Sequence, residues 1–544
     1  MSELYLLDYG AGNVRSLVNA ITKLGYEIRP VNQPDDILKA KKLIFPGVGA
    51  FGSAMTSLVS KNYVDPLKKY IASGRPFMGI CIGLQTLFTS SDESPDVHGL
   101  NIVNGRVKLF DNATKSVPHM GWNKTLKRKQ GLSAFGLSDD RVYYFVHSYA
   151  VPYTEDLATW TLATTQYGDE IFVSVIQKDN IFCTQFHPEK SGYAGLRILR
   201  SFLEWNGVSD QPTILCDSVE ASSDYLTKRI IACLDVRTND QGDLVVTKGD
   251  QYDVRERDNG GQVRNLGKPV DLARRYFEEG ADEITFLNIT SFRNCPLADL
   301  PMLEVLRRTS ETVFVPLTIG GGIRDVVDPD GKLHSALDVA GQYFRSGADK
   351  VSIGSDAVYA VERYLENGYK LNGDTAIETI AKAYGNQAVV ISVDPRRVYV
   401  SSPNETAHHV IKTIYPGPQG QEYCWYQCTV KGGREGRDID VHQLVTVCEK
   451  MGAGEILLNC MDKDGTNSGY DIELIDDVKK AVGIPVIASS GAGRVEHFSE
   501  VFERTKADAA LAAGIFHRKE VPVADVKNYL RENGILVRSP DNIL

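Results

Sequence analysis

Residues 230–237 read IIACLDVR and residues 389–397 read VVISVDPRR, so that Asp235 falls on Asp394 when the two are laid together. The correspondence continues along both halves. GADEITFLNIT (280–290) is answered by GAGEILLNCMD (452–462), VPLTIGGGIRD (315–325) by IPVIASSGAGR (484–494), and SGADKVSIGSDAV (346–358) by TKADAALAAGIFH (505–517). Matches in the same order in both halves are poorly explained by chance and mark an internal duplication. The fold this predicts for residues 229–544 is two half-barrels closed into one (β/α)8 barrel. The segment is longer than a minimal barrel of about 250 residues. The polar or turn-rich stretches RERDNGGQVRN, RDVVDPDGKLH and PNETAHHVIKTIYPGPQGQEY are expected to be insertions.

Ahead of the barrel, residues 1–206 alternate short apolar runs (LYLLDYG, KKLIFPGVG, RPFMGICIG, IFCTQFHP) with amphipathic segments such as NVRSLVNAITKLG. That alternation predicts an open α/β sheet. Residues 207–228 are polar, Ser/Asp-rich and without periodicity, which reads as a linker. A chain of 544 residues is too long for one core, so two large domains are expected. A net charge of -10 argues against a nucleic-acid partner. No apolar run approaches the roughly 20 residues that span a bilayer, and the start lacks a basic leader, so a cytoplasmic protein without a membrane partner is expected. The cysteines are odd in number and scattered, with no CxxC pair. This favours reduced thiols over disulfides or a zinc site, and neither a metal nor a cofactor is called for.

One cysteine has a special setting, in GICIGLQ (79–85). Cys81 between Gly79 and Gly83, after an apolar run and before a helix, has the spacing of a nucleophile elbow. The following helix start favours the thiolate. Such a nucleophile needs a base, and CTQFHPEKS offers His187 after a strand, with Glu189 two residues on to orient the imidazole.

With these motifs, residues 1 to about 205 resemble the class I glutamine amidotransferases. The resemblance implies that Cys81 attacks the side-chain amide of L-glutamine and releases ammonia, with His187 and Glu189 completing the triad and Gln85 touching substrate. It implies an oxyanion site at the backbone of Val48 and Gly49 in LIFPGVGAF, where many relatives carry a second glycine in place of Val48.

In the second half, Asp235 and Asp394 end strands of a barrel whose active site belongs at the strands' C-terminal ends, so the repeat sets two carboxylates across the mouth as candidate acid and base. The glycine runs supply backbone N–H groups for anions. Each half carries one set, Gly321, Gly322 and Gly354 in the first and Gly491, Gly493 and Gly514 in the second, so two phosphates are expected. IACLDV, VVTKGDQ, VVISVDPRR and MDKDGTNSGYD resemble the histidine-biosynthetic cyclase barrels, and the whole chain resembles the fused glutaminase-cyclase form of imidazole glycerol phosphate synthase. The resemblance implies that ammonia closes the imidazole ring on the bisphosphate PRFAR, giving imidazole glycerol phosphate and AICAR. It assigns Asp394 and Asp235 to acid-base work, Lys248 to the loop after the first strand and Asp462 to substrate contact. Asn288 stands where bacterial cyclases usually carry Asp, so no proton-transfer role passes to it.

Joining a glutaminase to a barrel confines ammonia, which would otherwise be protonated and lost. Docking on the barrel's N-terminal face predicts a route along its axis, with Arg229, Lys350 and Glu283 as candidates for a charged gate or for structural ion pairs. One chain carrying both activities suffices as a monomer. The rival readings are the sister barrel isomerase, which needs no ammonia, and a non-catalytic sensor, which would have no need of Cys81, His187, Asp235 and Asp394.

Overall fold

The computed structural model describes residues 3–10, 12–47, 49–130, 135–207, 213–214, 224–238, 244–247, 268–288, 297 and 301–540. In the first half, the parallel strands Leu4–Leu6, Lys42–Phe45, Phe77–Ile80 and Ile181–Thr184 lie side by side, and Glu170–Lys178 and Thr161–Tyr167 extend the sheet antiparallel. Helices such as Arg15–Lys23, Phe51–Ser60 and Gly192–Glu204 cover it. The strands bury both faces, as the continuous apolar runs KLIF, FMGI and IFCT require. A separate two-stranded ribbon, His119–Lys124 with Val142–His147, faces the second half.

There the strands Arg229–Thr238, Glu283–Asn288, Leu317–Gly320, Lys350–Ile353, Val389–Val393, Glu455–Asn459, Val486–Ser489 and Ala509–Ala512 pair in parallel in that order. Arg229 pairs with Ala509 to close the ring, so this is a (β/α)8 barrel. Amphipathic helices between the strands, among them Ala336–Ser346 and Val441–Met451, bury one face against it.

Alternation along the strands decides what lies where on the axis. On the first barrel strand, Ile231 and Cys233 belong to an interior apolar cluster with Val390, Leu457, Ile487, Ala509 and Leu511. Arg229 precedes them in the same phase at the floor, and Asp235 follows at the mouth. The sixth strand repeats the order with Glu455, Leu457 and Asn459. On these two strands the bore between floor and mouth is therefore apolar, while Thr285, Ser352 and Ser392 bring hydroxyls in the same inward phase on other strands.

Of the expected insertions, RDVVDPDGKLH contains a small hairpin, Val326–Val327 with Leu333–His334. PNETAHHVIKTIYPGPQGQEY belongs to a four-stranded sheet (Pro395–Val400, Ile411–Lys412, Tyr423–Val430, Glu435–Asp440) at the mouth. Arg397 pins that sheet to the barrel through Asp471 and Glu473. RERDNGGQVRN lies outside the described residues. Among the described residues the cysteines are free and buried, and no helix is long and apolar enough to cross a membrane.

The halves meet over the barrel's N-terminal end. Lys190 pairs with Asp349 at 2.7 Å, Asn13 donates to Asp349 at 2.8 Å and to the Gly347 carbonyl at 2.9 Å, and the Trp122 indole N–H donates to the Asp282 carbonyl at 3.2 Å. The Arg538 guanidinium stacks on the Trp122 ring at 4.2 Å.

Candidate active sites

Cys81 sits between the strand Phe77–Ile80 and the short helix Ile82–Gln85, with φ 52° and ψ −103°. A positive φ at a residue with a Cβ is strained, and surroundings that hold it there mark a functional turn. Its N–H donates to the Thr184 carbonyl at 2.7 Å, which ties the elbow to the strand leading to His187. The flanking glycines are required by space. A Cβ on Gly83 would lie 2.0 Å from the Phe45 carbonyl oxygen, and one on Gly79 would lie 2.6 Å from the Gly83 oxygen.

His187 Nδ1 is 2.8 Å from Glu189 Oε1, and Cys81, His187 and Glu189 are all buried. Burial works against charge on the imidazole, but Glu189 and the Cys81 thiol outweigh it and push its pKa up to about 10. Among the described residues the other ring nitrogen, Nε2, meets no group but the Cys81 side chain, and remains for proton transfer at sulfur. A donor that the sequence did not suggest completes the setting: the Gln185 amide donates to Cys81 Sγ at 3.4 Å. Gln85 is buried and gives its amide hydrogens to the Tyr149 carbonyl (2.9 Å) and Gln185 Oε1 (3.1 Å). Gly49 has φ 148°, and a Cβ there would lie 3.5 Å from the Tyr9 hydroxyl. Val48, beside it, lies outside the described residues.

The barrel floor carries a closed ring of buried charge. Arg229 contacts Glu283 at 3.0 Å and also Glu455, while Lys350 contacts Glu283 at 2.7 Å and Glu455 at 2.6 Å. Thr318 donates to Glu283 at 2.6 Å. These residues open or nearly open their strands, so the shared alternation aims them at the axis. Lys350 Nζ lies 3.6 Å from Met120 Sδ of the first half, so the ribbon His119–Lys124 sits against the ring.

At the other end a cavity of about 1250 Å³ opens at the strands' C-terminal ends. Asp235, Asn288, Gly321, Gly322, Gly354 and Asp394 line it, in company with Arg237, Arg324, Lys431 and Arg434. Asp394 accepts from Asn459 Nδ2 at 2.9 Å. Burial pushes its carboxyl above the usual range, the Asn459 bond opposes this, and the charge of Asp464 adds to it. A carboxyl so raised retains a proton more readily, which suits an acid-base group. Asn288 bonds the Tyr343 hydroxyl.

Other expected residues stand elsewhere. Asp462 is exposed and accepts the Arg397 backbone N–H at 2.7 Å, while Asp464 of the same turn lines the cavity. Ser489, Ser490 and Ala513 line it, next to Gly491, Gly493 and Gly514. Gly491 packs so closely that a Cβ would lie 2.2 Å from the Gly469 oxygen. Lys248 lies outside the described residues.

With this geometry, the chain matches two family models: glutamine amidotransferase class-I over residues 5–205, and histidine biosynthesis protein over residues 229–522. It is similar to imidazole glycerol phosphate synthase hisHF of Emericella nidulans, 63% identical over 99% of each chain. The Schizosaccharomyces pombe synthase of the same name is 61% identical, over 98% of this chain and 99% of that one. The chloroplastic form of Arabidopsis thaliana is 56% identical over 99% of this chain and 90% of its own.

The chain belongs to the imidazole glycerol phosphate synthase hisHF family. It is therefore a bifunctional enzyme of histidine biosynthesis, with a glutamine amidotransferase domain and a cyclase barrel. For a synthase of this kind, the sequence reading omitted Glu455, the fourth member of the floor ring. The repeat contained the signal, because GAGEILL sets Glu455 on Glu283 of GADEITF. It also omitted the mouth cations Arg324, Lys431 and Arg434, the last two delivered by the turn between Tyr423–Val430 and Glu435–Asp440.

Proposed function

We propose that glutamine is hydrolysed at Cys81, that the ammonia enters the barrel through the ring Arg229, Glu283, Lys350 and Glu455, and that it reaches PRFAR in the mouth. Cys81 attacks the amide carbon, the His187 imidazolium protonates the departing ammonia, and water then releases glutamate from the thioester. Gly49, with its neighbour Val48, serves the oxyanion. The uncharged molecule crosses the bore without the cost that an ammonium ion would meet. At the mouth Asp394 and Asp235 exchange protons during ring closure to imidazole glycerol phosphate and AICAR. Gly321, Gly322 and Gly354 on one side, and the backbone around Gly491, Gly493 and Gly514 on the other, take the two phosphates with help from the cations. Lys248 and Asp462 are further candidates for substrate contact.

The observation that carries this reading is the coaxial order on one strand: Arg229 beneath the amidotransferase, an apolar stretch, then Asp235 in the cavity. The working division is 1–206 for the glutaminase, 207–228 for the linker and 229–544 for the cyclase, in a cytoplasmic monomer. The test is the Cys81→Ala variant. Glutamine-dependent synthesis is expected to vanish while synthesis from ammonium salt at high pH survives. Absence of ammonium-dependent synthesis in the unmutated protein would overturn the cyclase reading.

A further inference from the structure

The buried polar side chains around Cys81 form one continuous hydrogen-bond chain, and its direction can be deduced from a single atom. The Tyr149 carbonyl oxygen can only accept. On one side it takes the Gln85 amide N–H at 2.9 Å, and the same amide gives a second hydrogen to Gln185 Oε1 at 3.1 Å. Gln185 must therefore present its oxygen to Gln85 and its N–H to Cys81 Sγ, at 3.4 Å. On the other side Tyr149 O faces His147 Nδ1 at 2.8 Å, which makes Nδ1 the donor and leaves His147 Nε2 to accept from His119 Nδ1 at 3.2 Å. His119 Nε2 is then the acceptor for Asn123 Nδ2 at 3.3 Å. Asn123 Nδ2 also lies 3.4 Å from Asp224 Oδ1, in the segment that leads into the first barrel strand.

Every side chain from Asn123 to Gln185 in this chain is buried. Buried polar groups without partners are costly, so the Tyr149 carbonyl fixes Gln85 and through it Gln185 on one side, and the His147 and His119 tautomers on the other. The arrangement requires both histidines neutral, because a proton on His147 Nε2 would face the His119 N–H. Burial lowers both pKa values, that of His147 to about 3, with the nearby charge of His187 adding to the effect. The polarity of the chain is thus constant across the working pH range.

We propose that Gln185 is a positioning residue for the nucleophile: its amide N–H holds and stabilises the Cys81 thiolate, and Gln85, turned by the Tyr149 carbonyl, keeps that amide in its donating orientation. Hydrogen bonds to a charged group contribute about 1.5–3 kcal/mol, a factor of roughly 10–100. The Asp224 end places the far terminus of the chain where the two domains join. The inference rests on Cys81 being the nucleophile.

The test compares Gln185→Met, which keeps volume and removes the donor, with Gln185→Glu, which turns an acceptor toward sulfur. Gln85→Met keeps the volume and removes the bond that orients the Gln185 amide. The readouts are kcat and KM for glutamine hydrolysis, the pH profile of Cys81 alkylation by iodoacetamide followed on the Cys81 peptide, and ammonium-dependent synthesis as the folding control. Gln185→Met is expected to lower kcat about 10–100-fold with KM within about twofold, and to move the alkylation profile to higher pH. Gln185→Glu is expected to be worse than Met, and Gln85→Met to move the alkylation profile in the same direction by less. Wild-type kcat or an unmoved alkylation profile in Gln185→Met would reduce Gln185 to packing and overturn the proposal. Should the Gln185 variants fail the folding control, an unmoved profile in Gln85→Met overturns it instead. A Cys81→Ala protein that still hydrolyses glutamine would overturn the nucleophile reading separately.

Discussion

Arg229 and Asp235 share one strand and one phase, the first in the ionic floor of the barrel and the second in its mouth. At about 3.3 Å per residue they stand about 20 Å apart along the strand. What joins the two chemistries is thus a single stretch of backbone lined by Ile231 and Cys233.

The floor ring yields a stability prediction. Removing Arg229 leaves Glu283 and Glu455 buried with only Lys350 between them, and breaking a buried ion pair from one side costs about 3–5 kcal/mol. Arg229→Ala is expected to lower Tm markedly. In the surviving folded protein, glutamate formed per imidazole glycerol phosphate should rise above one as ammonia escapes. Calorimetry and product stoichiometry check the two parts.

His187 gives a pH dependence with a definite sign. Its folded pKa of about 10 lies above the ordinary histidine value near 6.5. The folded state therefore holds the proton more tightly, and the resulting stability is fully present below about pH 6.5 and is lost as the pH rises through about 10. Melting curves across pH 6 to 10.5 should show this decline in the unmutated protein. Glu189→Gln should flatten it and reduce glutamine hydrolysis about 10²–10⁴-fold.

At Asp394 the sign is the opposite. Burial raises its carboxyl, so ionisation in the folded state works against stability as the pH climbs above the unfolded carboxyl value. Asp394→Asn keeps the shape without the buried charge. It is expected to melt no lower than the unmutated protein at neutral pH, and to lose about 10²–10⁴-fold or more of ammonium-dependent synthesis.

Two glycines separate packing from binding. Gly83→Ala drives a Cβ against the Phe45 carbonyl and is expected to cost about 1–3 kcal/mol and the glutaminase activity together. Gly354 has nothing within 4 Å of its ideal Cβ. Gly354→Ala should fold normally and raise KM for the bisphosphate alone. Thermal unfolding beside steady-state kinetics distinguishes the cases.

The parts legible in the sequence were those in which chemistry and local geometry coincide. Gly79, Cys81 and Gly83 announce a strand–turn–helix elbow, His187 and Glu189 lie two residues apart on one run, and the duplicated strands place Asp235 and Asp394 without reference to any contact. Gln185, His119 and His147 were illegible because their meaning arises through space, between strands that sequence separates by up to about a hundred positions. Gly491 and Gly493 illustrate a different limit. A glycine run offers its N–H groups to an anion, but it does not reveal that the loop at Asn467 and Gly469 also comes too close for a Cβ at either position. The cations Lys431 and Arg434 reach the mouth from an added sheet whose docking depends on Arg397 meeting Asp471, a contact between positions 74 residues apart.

The alternation of side chains along the barrel strands also limits how this protein can change. Slipping the first strand by one residue would turn Arg229, Ile231, Cys233 and Asp235 toward the surrounding helices in a single step, exchanging floor, bore and mouth for their outward-facing neighbours. The three zones are therefore inherited as a set. Substitution can retune each of them separately, but a shift in strand length would have to be compensated within the same strand before either half of the enzyme could use the other.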